Sequence, residues 1–169
     1  MLITRDELAL HPITVHETYP VGEIDERGGR FHQAQPLEVH ALAELAGLEI
    51  HIKGRLETRL EVECDRCIAL MEYPIRRNFD LYYRPVSSIA REEEIEIPPD
   101  ELDIAFYSEE GIDLTDLVRE QVILALPMKI VCQPECRGLC PICGINLNWG
   151  ACQCQSRNYE SPFASLRGQ

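Results

Sequence analysis

The fold of this chain is decided by residues 55–67, which read R-L-E-T-R-L-E-V-E-C-D-R-C. Apolar or small residues occupy the even positions as far as Cys64, and charged residues occupy the odd positions as far as Glu63. Strict alternation over this length predicts a β-strand with one face in the core and the other in water. The two cysteines that close the stretch, Cys64 and Cys67, are predicted to lie in the turn at the tip of a hairpin.

The residues on either side of this stretch predict further strands. Residues 37–45 alternate in the same way, although Leu42 breaks the pattern and the run L-A-E-L-A would also suit a helix. Gly54 predicts a bulge or a bend. Residues 13–20 predict one more strand, and a return strand is predicted from the apolar residues Ile75, Phe79, Leu81 and Tyr83. The middle of the chain is therefore predicted to be an antiparallel β-meander or partial barrel, within an α+β fold.

One helix is predicted in the C-terminal half, over residues 113–126. Asp113 is a good N-cap, Asp116 lies in the electropositive first turn, and Pro127 ends the helix. The helix is predicted to pack across the sheet through residues that recur at helical spacing, namely Leu114, Leu117, Val118, Val122 and Ala125.

The chain of 169 residues is strongly acidic, with 16 Lys and Arg against 29 Asp and Glu and a formal net charge of −13. Hydrophobic residues make up 45% of it, enough for one domain with a real core, so a wholly disordered chain is excluded. The negative field repels phosphate backbones, and a broad nucleic-acid-binding surface is not expected. The most acidic connection, 86–112, is predicted to be a solvated, mobile loop, with a dock for a basic partner as the alternative.

Sequence signals for membranes, secretion and catalysis are missing. No run of about 18 apolar residues marks a membrane span. A secretory signal needs an uninterrupted apolar stretch, whereas charged residues interrupt the N-terminus of this chain. The chain also lacks G-x-S-x-G, H-E-x-x-H and a Gly-rich phosphate loop. We therefore expect a cytoplasmic protein that is not an enzyme, and no small-molecule substrate is inferred.

The chemistry of the chain is concentrated in its cysteines. Six of the eight lie within 132–154, and in a reducing cytosol such a cluster favours metal binding over disulfides. The strongest motif is C-P-I-C-G over 140–144, which directs two thiolates to one point. Two divisions are open: a single site drawn from the six C-terminal cysteines, or, as we prefer, two four-cysteine sites. The preferred sites are Cys140, Cys143, Cys152 and Cys154, and Cys64, Cys67, Cys132 and Cys136.

Zinc is the metal that these spacings favour, because neither common ferredoxin spacing for an iron–sulfur cluster occurs. Four thiolates leave no open coordination position, so one or two structural Zn²⁺ ions are expected. The cysteine-rich segment has too few apolar side chains for a core, and its folding should depend on metal. The chain is thus predicted to divide into a β-rich core with the acidic loop and helix, 1–127, and a zinc-binding segment with a polar tail, 128–169.

The zinc-binding segment is also the part of the chain with net positive charge. A zinc-braced loop of this composition could stack one base and contact a few phosphates. The alternative is that Trp149 packs against the metal site and the cations serve solubility. The candidate RNA-contact residues are Lys129, Arg137, Asn146, Asn148, Trp149 and Arg157.

The order of these elements resembles the YceD family of bacterial proteins, the large ribosomal RNA subunit accumulation proteins, which has plastid relatives. The resemblance lies in E-C-D-R-C at 63–67, the helix at 112–127, the cysteine block at 136–154 and the Pro-Phe-x-x-Leu ending at 162–166. It implies a non-enzymatic role in accumulation or processing of large-subunit (23S) ribosomal RNA. The implied partner is ribosomal RNA or a basic ribosomal protein of the large subunit. The cysteines that match the family's motifs are Cys64, Cys67, Cys140, Cys143, Cys152 and Cys154.

The alternative function is a zinc–thiolate redox switch or redox-regulated chaperone. Oxidation would then eject zinc and unfold the C-terminal segment, since exposed thiolates oxidise readily. A thioredoxin-like oxidoreductase is less favoured, because Cys64 and Cys67 are predicted between strands and do not open a helix.

Overall fold

Over the residues that the structure describes, the backbone forms an open six-stranded sheet, a two-stranded ribbon and two helices. The structure is a computed structural model that describes residues 1–25, 29–88, 104–108 and 111–154. The strands are β1 (Leu2–Ile3), β2 (Ile13–Tyr19), β3 (Phe31–Gln33), β4 (Leu37–Ala46), β5 (Glu49–Glu63), β6 (Leu70–Pro85), β7 (Ile104–Tyr107) and β8 (Ile112–Asp113). The helices are α1 (Arg5–Leu8) and α2 (Leu114–Ala125), and a 3₁₀ turn covers Val86–Ser88.

The large sheet is built around β5, which pairs with β3 and β4 along one edge and with β6 along the other. Its strand order is β2-β4-β5-β6-β7, with antiparallel pairs from β2 to β6 and a parallel pair between β6 and β7. The short strand β3 pairs with the end of β5 that lies beyond β4, where Phe31 faces Val62. The antiparallel meander is confirmed for β4, β5 and β6, while closure into a partial barrel stays a prediction. The β5–β6 pairing ends with Glu63 opposite Leu70, which places the first cysteine pair at the tip of this hairpin.

Burial along β5 follows the alternation of its sequence. Its core face includes Ile52, Leu56 and Leu60, and the charged residues between them face solvent. No bulge forms at Gly54, so that part of the prediction is wrong, while a bend there stays a prediction. Gly54 pairs in continuous register with Ala41 and Phe79, and a Cβ there would lie 2.7 Å from each of those two side chains. The glycine is therefore required by close packing across three strands.

Two segments whose sequence pattern did not clearly predict a strand form strands in the structure. The run L-A-E-L-A belongs to β4, because Val39, Ala41 and Ala43 all face the core when the chain is extended. The acidic connection 86–112 is not a loop throughout: the apolar run I-A-F-Y forms β7 beside β6, which corrects the prediction over Ile104–Tyr107. Residues 89–103 and 109–110, with the acidic and proline runs, lie outside the described residues.

Helix α2 completes the core, as its sequence predicts. The Asp113 carboxylate accepts hydrogen bonds from the backbone N–H groups of Thr115, at 2.7 Å, and Asp116, at 3.3 Å. The helix is held to β6 by Arg77, which donates to the side-chain oxygen of the buried Gln121 at 3.0 Å. Its buried face consists of Leu114, Leu117, Val118, Gln121 and Val122. In the described part of the chain, no helix combines the length and the apolar character needed to cross a bilayer.

Candidate metal centres

The β5–β6 hairpin ends in a tight turn that carries the first cysteine pair. The backbone N–H of Cys64 donates to the carbonyl of Ala69, and the N–H of Ile68 donates to the carbonyl of Cys64, both at 2.9 Å. Ile68 has a φ of +58°, in the left-handed region that a β-branched residue rarely adopts. This conformation turns the chain back into β6 and leaves both thiols on the same side.

The motif C-P-I-C-G forms a turn with the same hydrogen-bond pattern. The N–H of Cys140 donates to the carbonyl of Ile145, and the N–H of Gly144 donates to the carbonyl of Cys140, again both at 2.9 Å. Gly144 has a φ of +74° and holds the position that Ile68 holds in the first turn. Glycine adopts this φ without steric cost, which explains its place in the motif.

The eight sulfur atoms form two clusters of four, and all sulfurs within a cluster lie within 4.8 Å of one another. We call them the 64/132 cluster, of Cys64, Cys67, Cys132 and Cys136, and the 140/152 cluster, of Cys140, Cys143, Cys152 and Cys154. This is the division preferred from the sequence. That these cysteines bind metal stays a prediction.

The sulfur spacings suit tetrahedral coordination. In the 64/132 cluster the Sγ atoms of Cys64 and Cys136 are 3.8 Å apart and those of Cys67 and Cys132 are 3.7 Å apart. A Zn–S bond of about 2.3 Å gives a tetrahedral edge of about 3.8 Å. The cysteines are free thiols, and these separations are far longer than a disulfide bond of about 2.05 Å.

Hydrogen bonds to sulfur prepare the 64/132 cluster for a cation. Burial acts to raise the pKa of Cys64, but backbone N–H groups, led by that of Cys132 at 3.3 Å, outweigh it and lower the pKa to about 6. The side-chain amide of Asn148 donates to the Cys136 sulfur at 3.3 Å and lowers the pKa of Cys136. Cys132 is exposed as a residue, yet desolvation of its sulfur and its thiol neighbours raise its pKa to about 12.

The 140/152 cluster has the same electrostatic pattern with more exposure. The backbone N–H groups of Cys143 and Ile142 and the thiol of Cys152, which is 3.4 Å away, lower the pKa of Cys140 to about 6. Hydrogen bonding with the Cys143 sulfur, followed by burial, raises the pKa of Cys154 to about 12. Each cluster therefore combines a cysteine whose pKa is lowered with one whose pKa is raised, and a bound cation would have to displace the proton of the second.

The two residues inside the first cysteine pair dock the later segment onto the hairpin. The Asp65 carboxylate accepts from the backbone N–H of Ile130 at 2.5 Å, and the Asp65 N–H donates to the Ile130 carbonyl at 2.8 Å. The Arg66 guanidinium donates to the carbonyls of Pro134, at 3.2 Å, and Cys136, at 2.9 Å. Sequence reasoning missed both residues, although their place between two ligand-like cysteines was a usable signal.

A second contact ties the two clusters together. The N–H of Leu139 donates to the carbonyl of Arg66 at 3.1 Å. Gly138, with a φ of +75°, makes this approach possible, because a Cβ there would lie 2.9 Å from the same oxygen. Asn148 reaches Cys136 from the loop that follows Cys143, so its side chain joins the segments that carry the two clusters.

The candidate RNA-contact residues are placed in two different ways. Asn146 and Asn148 are half-buried and hydrogen bond to each other, and Asn148 also accepts from the N–H of Arg137 at 2.8 Å. Lys129, Trp149 and the Arg137 side chain lie at the surface, and Trp149 is 85% exposed. Arg157 lies outside the described residues. RNA contact by this set stays a prediction.

The fold and clusters define a class of protein: an open, mainly antiparallel sheet with a crossing helix, whose hairpin tip forms a four-cysteine cluster with the segment after the helix. The chain belongs to the YceD family. The model of that family, described as "Large ribosomal RNA subunit accumulation protein YceD", matches residues 52–168. The match begins within β5 and includes all eight cysteines.

Similar proteins are found in plants and bacteria. The protein named "Large ribosomal RNA subunit accumulation protein YCED homolog 1, chloroplastic" of Zea mays is 37% identical over 62 residues, which cover 36% of this chain and 21% of the maize protein. Its namesake in Arabidopsis thaliana is 26% identical over 153 residues, 72% of this chain and 45% of the plant protein. An uncharacterized protein of Bacillus subtilis (strain 168), YlbN, is 21% identical over 119 residues, 70% of this chain and 64% of that protein. The chain thus spans less than two thirds of each relative, and no solved structure matches it.

Proposed function

We propose that this chain is a non-enzymatic, cytoplasmic factor that supports accumulation of large-subunit ribosomal RNA, and that each four-cysteine cluster holds one structural Zn²⁺ ion. The observation that carries the zinc assignment is the pair of clusters with sulfurs within 4.8 Å. The ribosomal role rests on family membership and on the printed names of the plant relatives.

The structural role of zinc follows from how the ligand sets are filled. Four thiolates occupy all tetrahedral positions and leave none for water or substrate. Three of the four cysteines in the 64/132 cluster are buried, namely Cys64, Cys67 and Cys136, so an ion there would be shielded from reactants. Zinc would join the hairpin tip to residues 130–136 and so hold the proposed segments 1–127 and 128–169 together.

Charge favours a protein partner over extensive RNA contact. The net charge is −13, and two ions each bound by four thiolates give each centre a charge of about −2. Such a surface repels phosphates and attracts the basic segments typical of ribosomal proteins. Direct RNA contact would be confined to a few residues around Trp149, Lys129 and Arg137.

A redox switch remains the second candidate, and the exposure of three thiols favours it. Cys132, Cys143 and Cys154 are exposed, and each lies in a cluster where another sulfur is within reach. A switch would lose zinc at low peroxide and form disulfides, whereas a structural centre would keep its metal until oxidant is in large excess. Peroxide titration with a zinc-release readout separates the two.

Two measurements test the proposal independently. Native mass spectrometry and elemental analysis of reduced protein should find two zinc ions per chain; one ion would remove one site, and none would refute the zinc assignment. In a strain without the gene, the ratio of large- to small-subunit ribosomal RNA should fall and be restored by the wild-type chain.

The complementation test has a matched pair of variants. Cys154→Ser removes a ligand and should fail to restore the ribosomal RNA ratio, whereas Cys154→His retains a nitrogen ligand for zinc and should restore it at least in part. An unchanged ratio in the deletion strain itself would refute the ribosomal role.

A further inference from the structure

A groove lies beside the 64/132 cluster and is not used by the proposed metal centres. It has a volume of about 750 Å³ and opens where residues 126–130 pass the ends of β3 and β5. Its apolar lining includes Phe31, Val62, Leu70, Ile123, Met128 and Ile130. The groove is therefore formed by the sheet, the end of α2 and the chain that leads to the cysteines.

The rim of the groove exposes large apolar side chains. Leu70 is 61% exposed, Ile123 is 43% exposed and Met128 is 97% exposed. Adjacent exposed apolar residues around a concave surface are typical of a protein-binding site, because covering them removes apolar area from water.

Charges on the rim are only partly compensated. Arg30 pairs with Asp65 at 3.1 Å, so these two charges are satisfied within the chain. Glu61 and Glu63 are both exposed on β5, and among the residues that the structure describes neither carboxylate has an ion pair or a hydrogen bond. By contrast Glu57, on the same face, pairs with Arg76 at 2.8 Å.

The two unpaired carboxylates share one face of the strand. Residues two apart on a strand point the same way and lie about 6.8 Å apart. The lining of the groove thus combines apolar side chains with Glu61 and Glu63, which belong to the outer face of β5, where Leu70 lies opposite Glu63. Within the described part of the chain neither carboxylate has a partner, and the net charge of the chain is −13.

We propose that this groove binds an amphipathic cationic segment of a partner protein. Apolar side chains of the segment enter between Leu70, Ile123 and Met128, and its Lys or Arg side chains pair with Glu61 and Glu63. An RNA strand fits less well, because its phosphates would face two carboxylates that have no ion pair within the described ranges of the chain. The identification of the partner as a ribosomal protein rests on the proposed function, whereas the class of segment rests on the groove itself.

The binding test uses the full-length, metal-loaded protein and a fluorescent amphipathic peptide of leucine and lysine. In fluorescence anisotropy, the double variant Glu61→Gln/Glu63→Gln should bind this peptide about three- to tenfold more weakly and with a smaller salt dependence. Leu70→Ser should weaken binding about tenfold. The matched controls are Glu38→Gln, an exposed glutamate on β4 that has no ion pair with any residue the structure describes, and Leu48→Ser, a leucine 59% exposed at the β4–β5 turn. Both controls should bind as the wild type does.

Several results would overturn this proposal. Equal binding of a scrambled peptide of the same composition would show plain charge attraction, and equal losses in the controls would place the peptide elsewhere. Stronger peptide binding after truncation at residue 154 would make the chain's own C-terminal residues the occupant. Dissociation of a dimer by Leu70→Ser in sedimentation analysis would make a second copy the occupant, and loss of oligouridylate binding in Leu70→Ser would make it RNA.

Failure here is distinguishable from failure of the proposed function. Peptide binding that is lost in Leu70→Ser, with an unchanged ribosomal RNA ratio in the deletion strain, would support the groove and refute the ribosomal role. A restored ratio with Leu70→Ser, together with unchanged peptide binding, would refute the groove and leave the ribosomal role intact.

Discussion

Asn148→Asp is the substitution that tests most directly how the chain supports the 64/132 cluster. The change is isosteric and keeps the side-chain oxygen that accepts from the Arg137 N–H at 2.8 Å. It replaces the amide that donates to the Cys136 sulfur at 3.3 Å with a carboxylate oxygen. A donor becomes a negative charge facing a thiolate, so both effects act against the deprotonated form of Cys136.

The expected size of the effect follows from the role of Asn148. Groups that hydrogen bond to metal ligands typically contribute 10- to about 100-fold in metal affinity when they are removed. Only one of the four sulfurs loses its donor, and the backbone donor to Cys64 from Cys132 is retained. We therefore expect the 64/132 cluster to lose zinc affinity by about 10- to 100-fold, with the repulsion favouring the upper end.

The assay is competition with a chromophoric zinc chelator at pH 7.5, followed by native mass spectrometry. The background variant Cys143→Ser/Cys154→Ser removes the 140/152 cluster, so each curve reports one site. Asn78→Asp is the matched control, because it makes the same chemical and charge change on the exposed face of β6. Superimposable curves for Asn148→Asp and Asn78→Asp would refute the argument that Asn148 supports the cluster.

Four further predictions concern stability, protonation and metal removal. Gly138→Ala should lower the free energy of unfolding by about 1–3 kcal/mol more than Gly47→Ala. Both glycines have positive φ, but a Cβ at Gly138 would lie 2.9 Å from the Arg66 carbonyl oxygen, whereas a Cβ at Gly47 would meet nothing within 4 Å. Equal urea midpoints would contradict this. Asp113→Ala should cost about 0.5–2 kcal/mol through loss of the N-cap. Burial acts to raise the pKa of Asp113, but hydrogen bonds from the backbone outweigh it and lower the pKa below its ordinary 3.8. The stability that the Asp113 carboxylate contributes is therefore present above about pH 4 and is lost as pH falls through the folded pKa. Denaturation at pH 3 and pH 7 should show that Asp113→Ala destabilises the protein more at pH 7, and an equal destabilisation at both pH values would contradict this. Because the pKa of Cys132 is about 12, zinc must displace its proton, and apparent zinc affinity should rise from pH 6 to pH 8; a flat profile would count against thiolate ligation. Chelation of the metal should speed amide hydrogen exchange across 128–154 while β5 stays protected, and unchanged exchange in that segment would argue against a structural ion.

Much of the sheet was predictable because its pattern is local. The alternation along β5 reflects a strand with one buried face, and the period of two identifies that face without knowledge of its neighbours. Helix α2 was equally clear, since Asp113 and Pro127 mark its limits and the apolar spacing fits one buried stripe.

The errors in the fold arose where local and tertiary effects conflict. Gly54 has the usual signature of a bulge, yet it is needed because Ala41 and Phe79 approach the same point from two neighbouring strands. The I-A-F-Y run lies among acidic residues, and its pairing in β7 depends on the free edge of β6. Neither neighbour is visible in the sequence around the residue concerned.

The cysteines show which features the sequence determines and which depend on the tertiary structure. By itself the sequence determined which residue types could hold a metal, and the knuckle over 140–144 follows from spacing and one glycine. Only the tertiary structure brought Cys64 and Cys67 beside Cys132 and Cys136, because the β5–β6 register, the path of α2 and the Asp65 hydrogen bonds together set that meeting. A contact between residues more than sixty positions apart depends on how the whole intervening chain packs. The spacing of cysteines along the sequence therefore cannot decide which pairs meet.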